Sequence, residues 1–246
     1  MNNLANWLSG VPFPSVRILL LIAFLGLAWS YLCLRFAGYL RCRRNLRTGY
    51  TRKIFHLLIF TTVVVLQLRW GLLAVCLFGA MTTLVLAYAL LRGVGHPVYE
   101  AIARESDRPH RTYYIVVPYL ATLIGGIASN LFFGPLAVVG YLVGGIGDAA
   151  GEPVGTRWGK HQYKFSWLGR RAGTKSVEGS AAILLASLLG LLVALAIQRQ
   201  LNWQSLVAIV LIACSCTVIE ATSPRGWDNT PMQFVPTLLA FLLLPR

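Results

Sequence analysis

Long apolar runs alternate with short polar gaps along this chain. The runs cover Val16 to Ala37, Ile54 to Leu68, Trp70 to Leu91, Thr112 to Ala128, Leu131 to Ile146, Ser180 to Ile197, Trp203 to Thr222 and Met232 to Leu244. A membrane-crossing helix needs about 20 mainly apolar residues, so the pattern predicts an all-α, polytopic helical membrane protein with about eight transmembrane helices. The second, fifth and eighth runs are the shortest. Pro12, Pro14 and Arg17 stand near the start of the first run, with no basic n-region before it and no small-residue cleavage site after it. It reads as a retained helix rather than a signal peptide. No fixed-period repeat is visible, and no linker is long enough to separate one domain from another. The expectation is one integral membrane domain over 1–246, with an N-terminal helix and basic loop (1–51) before the core (52–246).

Composition sharpens this reading. Hydrophobic residues make up 57% and charged residues 12% of the 246, with a mean hydropathy of +0.65. A soluble domain carries about 25% charged residues, so this chain cannot cover a water-soluble globule, and disorder is excluded on the same grounds. The 22 Lys and Arg against 8 Asp and Glu give a formal charge of +14. In a soluble protein that excess would suggest nucleic acid. Here the cations sit in the gaps between apolar runs, where the positive-inside rule accounts for them, and no nucleic-acid partner is expected. All but Arg17, Arg69, Arg199 and Arg246 fall on one side of the predicted topology. That side is therefore cytoplasmic, and both termini are expected outside. Cys33, Cys76, Cys214 and Cys216 lie in apolar runs and Cys42 in a basic loop, so they read as buried small hydrophobes rather than a disulfide or metal framework.

All eight acids share the cytoplasmic side. Asp148, Glu178 and Glu220 sit at or just inside the ends of runs. Carboxylates at membrane depth cost a few kcal/mol each and are functional candidates by default. The plain structural reading, pairing with nearby Arg and Lys, would suffice for one acid; five in three short motifs favour function.

The richest segment is Gly144 to Ala181. Glycines at 144, 145, 147, 151, 155, 159, 169, 173 and 179 give a backbone able to approach a ligand. If the fifth run continues as a helix, Asp148 and Glu152 lie on one face, an oxygen pair suited to Mg²⁺ shared with substrate phosphates. Gly173-Thr174-Lys175-Ser176, then Glu178-Gly179-Ser180, open the sixth run. Helix-terminal amides, the Thr174 and Ser176 hydroxyls and the Lys175 ammonium are candidates to hold phosphate oxygens. The spacing is not that of a Walker A loop. Two further pieces are Arg52-Lys53-Ile54-Phe55-His56, read either as interfacial cations with a helix-bonding histidine or as phosphate neutralisation, and Glu220 to Pro231, read either as a turn or as a second carboxylate pair.

Together these residues resemble the polyprenol kinase family, which includes dolichol, phytol and farnesol kinases and the CTP-dependent diacylglycerol kinase. Arg52-Lys53-x-x-His56 is similar to the family's early RK-x-x-H motif. Gly147-Asp148-Ala149 with Val154-Gly155, then Gly159-Lys160, then Lys175-Ser176-x-Glu178-Gly179-Ser180, is similar to its central core. Glu220 with Asp228-Asn229-x-Pro231 is similar to its C-terminal element. The match runs from Arg52 to the C-terminus. Phosphatidate cytidylyltransferase has a similar central stretch, but its long C-terminal signature has no counterpart here. Thr230 and the single Asp before Asn229 depart from the kinase pattern.

The resemblance implies transfer of the γ-phosphoryl group of CTP to a lipid alcohol, a polyprenol, a shorter isoprenol or diacylglycerol, with Mg²⁺. Asp148 and Asp228, with Glu152 as a third candidate, are then the expected metal ligands, and Lys175 with the amides from Lys175 to Gly179 the phosphate cradle. Arg52 and Lys53 offset charge on the transferred group. Gly155, Lys160, Thr174, Ser176, Gly179, Ser180 and Asn229 are expected to line the nucleotide. Glu178 or Glu220 accepts the lipid hydroxyl proton or serves as a second metal ligand, with His56 the weaker alternative for the proton. A basic loop from Arg157 to Arg171 is expected over the nucleotide, and a prokaryotic plasma membrane is the expected location. The alternatives are a phosphatidate cytidylyltransferase-like enzyme and an ion-coupled transporter or lipid flippase using Asp148, Glu178 and Glu220 as a relay.

Overall fold

The computed structural model describes residues 14–164, 166–167, 170–171, 174–197, 202–224 and 226–244. Nine α-helices are described: α1 (Val16–Arg43), α2 (Thr48–Arg92), α3 (Pro97–Glu100), α4 (Tyr113–Phe133), α5 (Ala137–Leu142), α6 (Asp148–Trp158), α7 (Val177–Ile197), α8 (Trp203–Thr222) and α9 (Asn229–Leu243). Four two-residue strands, β1 (Gln162–Tyr163), β2 (Ser166–Trp167), β3 (Arg170–Arg171) and β4 (Lys175–Ser176), lie between α6 and α7. The chain divides into two compact units, Met1–Ile115 and Val116–Arg246, with the boundary inside α4 and no linker at it.

The helical class agrees with the sequence expectation; the count of eight spans does not map one to one. Five helical stretches are long and apolar enough to cross a membrane: Val16–Arg43, Thr48–Arg92, Tyr113–Trp158, Val177–Ala196 and Trp203–Thr222. The second and third predicted runs share α2. The fourth and fifth share the stretch Tyr113–Trp158. The eighth falls in α9, which has 15 residues. Outward-facing Phe24, Leu91, Phe132, Leu185 and Trp203 are all more than half exposed, a surface that a bilayer covers and water would not tolerate.

In the N-terminal unit, Ser15 starts α1 by accepting the Ile18 amide on its hydroxyl (3.4 Å), and Arg41 and Arg43 end it where the helix dipole favours cations. α2 is not one straight rod. Gly71 holds φ +68 inside it, a conformation open to glycine at little cost. The hydrogen-bond partners of α1 reveal what happens there. Trp29 Nε1 donates to Thr62 Oγ1 (2.9 Å) and the adjacent Ser30 shares a bond with Thr82 (3.0 Å). Thr62 and Thr82 would stand about 30 Å apart along a straight helix. Both can reach one level of α1 only if α2 reverses at Gly71. Ile22 packs with Leu66 and with Ala74 and Phe78, from the two limbs. At the other end, Thr51 Oγ1 donates to the Ala101 carbonyl (2.7 Å), and a Cβ at Gly38 would meet the Pro97 oxygen at 2.8 Å. A glycine is needed for that approach.

Between α3 and α4 the chain closes on an ionic knot. Arg111, 5% exposed, donates to both carboxylate oxygens of Glu100 (3.2 and 2.6 Å) and to the carbonyls of Ala103 and Arg104 (2.6 and 3.2 Å). Its guanidinium lies over the Tyr99 ring. Glu100 also accepts the Gly95 amide (3.0 Å). Burial alone would push the Glu100 carboxyl up; Arg111, Gly95 and the more distant Arg41 outweigh it and hold the group below its ordinary value. These acids, with Glu105 bonded to Arg108 (2.8 Å), serve the fold.

In the C-terminal unit, α4 leads through a 3-10 turn (Gly134–Leu136) to α5, and a π-helical turn (Val143–Gly147) delivers the chain to Asp148 at the start of α6. α6 lies along α7, and α8 packs against both α7 and α9. α9 docks on α4: Asn229 donates to the Pro118 carbonyl (2.9 Å) and Thr122 Oγ1 (2.8 Å), Thr230 to the Ala121 carbonyl (2.7 Å), and Gln233 to the Thr122 carbonyl (3.1 Å).

Candidate functional site

Three separated stretches of the C-terminal unit meet at Glu220, near the end of α8. β4 brings Lys175, whose ammonium donates to Glu220 Oε1 (2.7 Å) and also to the Glu220 carbonyl. The α6 N-terminus brings Asp148, and the turn before α9 brings Asp228. Both carboxylates lie within electrostatic range of Glu220 and of Cys216, one turn earlier on α8. Asp148 is 7% exposed; the Lys175 and Glu220 side chains are 17% and 16% exposed. Up to 80 positions separate these groups in the sequence; the fold gathers them where apolar helices end.

The local reasons are visible. The π-helical turn carries Gly144, Gly145 and Gly147, all buried, so a widened turn fits between helices with little side-chain bulk. Such turns recur at functional sites. Lys175 is presented by a ribbon rather than a helix end: β4 pairs antiparallel with β1, Lys175 opposite Tyr163 and Ser176 opposite Gln162. α7 begins only at Val177. This changes the expected phosphate cradle. The Val177 amide donates to the His161 carbonyl (3.0 Å). The Gly179 amide donates to Ser176 Oγ (3.1 Å), and Ser180 Oγ bonds the Tyr163 hydroxyl (2.6 Å). In this arrangement those amides and hydroxyls serve the ribbon and the helix start.

The glycine pattern also has a different use from the one its abundance suggests. Gly147, Gly151, Gly155 and Gly159 recur every four residues; the first three face α7, and Gly159 lies against Ser176 of β4. A Cβ at Gly151 would meet Ile183 Cδ1 at 2.6 Å, and one at Gly155 would meet Ser176 Oγ at 2.9 Å. Gly179 in turn lies against the Gly151 carbonyl and Gly155 Cα. This is a small-residue stripe that lets two membrane helices touch backbone to backbone. Gly155 and Gly179 are thus helix-contact residues here.

The remaining expected residues are placed as follows. Glu152 is one turn past Asp148 on α6, so the predicted helical pairing of these two holds. Lys160 and Thr174 are exposed, flanking the ribbon. Asn229 fastens α9 to α4. Arg52, Lys53 and His56 belong to the first turns of α2 in the N-terminal unit, where the His56 ring stacks on Phe60 with centroids 4.3 Å apart. Arg225, Gly169 and Gly173 lie outside the described residues, as do the side chains of Arg170 and Arg171 in the expected basic loop. Glu178 turns away from the cluster's partners to His161: the imidazole Nδ1 stands 2.8 Å from Glu178 Oε1, and the His161 amide donates to the same oxygen (3.3 Å). Sequence reasoning misses His161 and Tyr163, since their partners are 17 residues away and no spacing rule links them.

Carboxylate oxygens are the donors that Mg²⁺ takes, and one or two suffice when phosphates and waters complete the shell. Asp148 and Asp228 carry donors of that kind. Among the described residues no group of three or more His, Cys, Asp or Glu converges as a ready-made ligand set. Compared with protein-family models, curated proteins and solved structures, the chain finds no match.

Proposed function

We propose that this protein is a lipid-alcohol kinase that transfers the γ-phosphoryl group of a nucleoside triphosphate, CTP by resemblance, to a long-chain alcohol at the cytoplasmic membrane face. The observation that supports it most is the gathering of Asp148, Lys175, Glu220 and Asp228 at one locus beside apolar helix ends. A lipid alcohol and a water-soluble nucleotide can meet only at such a boundary. Phosphoryl transfer asks for positioned cations and little covalent chemistry from the protein.

In this reading Asp148 and Asp228 hold Mg²⁺, which when bound neutralises charge on the nucleotide phosphates. Lys175 is the ammonium offered to the transferred phosphoryl group, kept in place by Glu220. The alcohol oxygen attacks the γ-phosphorus, its proton passes to the Glu220 carboxylate, and the bond to the β–γ bridging oxygen breaks to release CDP. The reversal at Gly71 and the positive-φ Gly134 (φ +59) are read as chain reversals between spans. With α9 counted, they give eight spans and both termini outside.

Purified full-length protein incubated with labelled CTP or ATP and a panel of polyprenols, isoprenols and diacylglycerol tests the reaction. Label should enter lipid with the wild type and be lost with Asp148→Ala and Lys175→Ala while both variants still insert. Undiminished transfer by either variant removes the site assignment, and no transfer to any alcohol removes the kinase reading in favour of a transporter. Thiol labelling of cysteines placed at Gly159 and Asn202 tests sidedness, with Gly159 expected in the cytoplasm.

A further inference from the structure

Lys175 sits on a strand only two residues long. A ribbon of that size has no stability of its own, yet it must hold an ammonium against Glu220. The surrounding contacts supply what the ribbon lacks. β1, its partner strand, is tied to α7 at both ends. Before it, His161 Nδ1 donates to Glu178 Oε1 (2.8 Å), its amide donates to the same carboxylate (3.3 Å), and its carbonyl accepts the Val177 amide (3.0 Å). Within it, Tyr163 bonds Ser180 (2.6 Å). Glu178 and Ser180 lie in the first turn of α7, directly after β4. The side chain of His161 is 79% exposed, so its ring is not placed by packing. The carboxylate places it.

We propose that His161 and Glu178 form a positioning clamp that fixes the β1–β4 ribbon on α7 and so aims Lys175 at Glu220. Glu178 then acts through Lys175 and does not accept the substrate proton. The clamp itself is read from the contacts alone; its consequence for turnover rests on the kinase reading above.

The first measurement needs no enzymatic activity. Full-length protein in detergent is treated with an amine-reactive acylating reagent, and modification of each lysine is followed by mass spectrometry. Wild-type Lys175 should react slowly because its ammonium is held by Glu220. His161→Phe and Glu178→Gln should raise its rate about tenfold, while the exposed Lys164 reacts as before. Glu178→Gln is the milder change and stands if His161→Phe does not fold. An unchanged Lys175 rate in a folded variant overturns the clamp.

The second measurement is kinetic. With a productive alcohol, Glu178→Gln should raise KM for the nucleotide about tenfold and leave kcat within about threefold. A general base would give the opposite split, kcat falling about a hundredfold or more with KM unchanged, and that result also overturns the proposal. If no alcohol is phosphorylated, the kinase reading falls and the labelling rate still decides the clamp.

Discussion

Acidic side chains cluster twice in this protein, once in each unit, and the two clusters are built differently. In the N-terminal unit Glu100, Glu105 and Asp107 stand among Arg104, Arg108 and Arg111, and the central pair is bidentate and held further by three backbone groups. These three acids and three arginines match one to one in charge. In the C-terminal unit the carboxylates of Asp148, Glu220 and Asp228 share a locus with Lys175. Those four carry three negative charges to one positive. The first arrangement is what a chain needs to fix a loop between two membrane helices. In the second, Glu220 has the carboxylates of Asp148 and Asp228 within electrostatic range as well as the Lys175 ammonium, and like charges gathered in this way are found more often at functional sites.

The contrast can be broken by substitution. Arg111→Ala takes the guanidinium from the Glu100 carboxylate and one donor from each of the Ala103 and Arg104 carbonyls, and should cost about 3 kcal/mol, in line with other buried pairs that lose one partner. Thermal unfolding in detergent, or protease resistance of the segment 95–111, reads the loss. A change below about 1 kcal/mol would place this knot among ordinary surface pairs and erase the distinction. Asp148→Asn should cost less. Its charge acts against the neighbouring Glu220 carboxylate, so its removal should change stability by less than about 1 kcal/mol, while in the proposed kinase reading phosphoryl transfer falls at least about a hundredfold. An Asp148→Asn protein that unfolds as readily as Arg111→Ala would mean that both clusters are structural.

How much of this is legible in the sequence differs between the clusters for a physical reason. Apolar periodicity is local, so the helical class and the positions of the long runs can be read directly. The reversal in α2 is legible too, because Arg69 breaks the apolar stretch between the second and third runs two residues before Gly71; hydropathy does not tell that helix runs up to the glycine and resumes directly after it. Asp148, Lys175, Glu220 and Asp228 are each visible as acids or cations at run ends. The closeness of the last two to the first two depends on how α8 and α9 pack, which no spacing encodes. Gly147, Gly151, Gly155 and Gly159 form a repeat of four that is open to view. Its abundance suggests a ligand-binding turn, yet a glycine-rich turn and a helix-contact stripe need the same residue for different approaches. His161 leaves no trace at all: its partner is fixed by a ribbon that exists only because the loop folds back on α7.

The smallest expected effect concerns acid. Glu100 is held below its ordinary carboxylate value of 4.5 because Arg111 and the Gly95 amide favour its charged form more than burial opposes it. A group with a lowered folded-state pKa adds stability above its unfolded pKa and loses it as pH falls through the folded one. The N-terminal unit should therefore keep its full stability from neutral pH down to about 4.5 and weaken progressively below that. Glu100 should contribute to that slope. In Glu100→Gln the protein should start less stable at neutral pH and show a flatter decline below about 4.5 than the wild type. Parallel acid profiles for the two proteins would show that the Glu100 charge does not report on the fold, and the one-to-one matching of the N-terminal cluster would lose its energetic meaning. The same titration applied to Asp148→Asn should leave the profile of the N-terminal knot untouched, because the Glu100–Arg111 contacts lie wholly within the N-terminal unit.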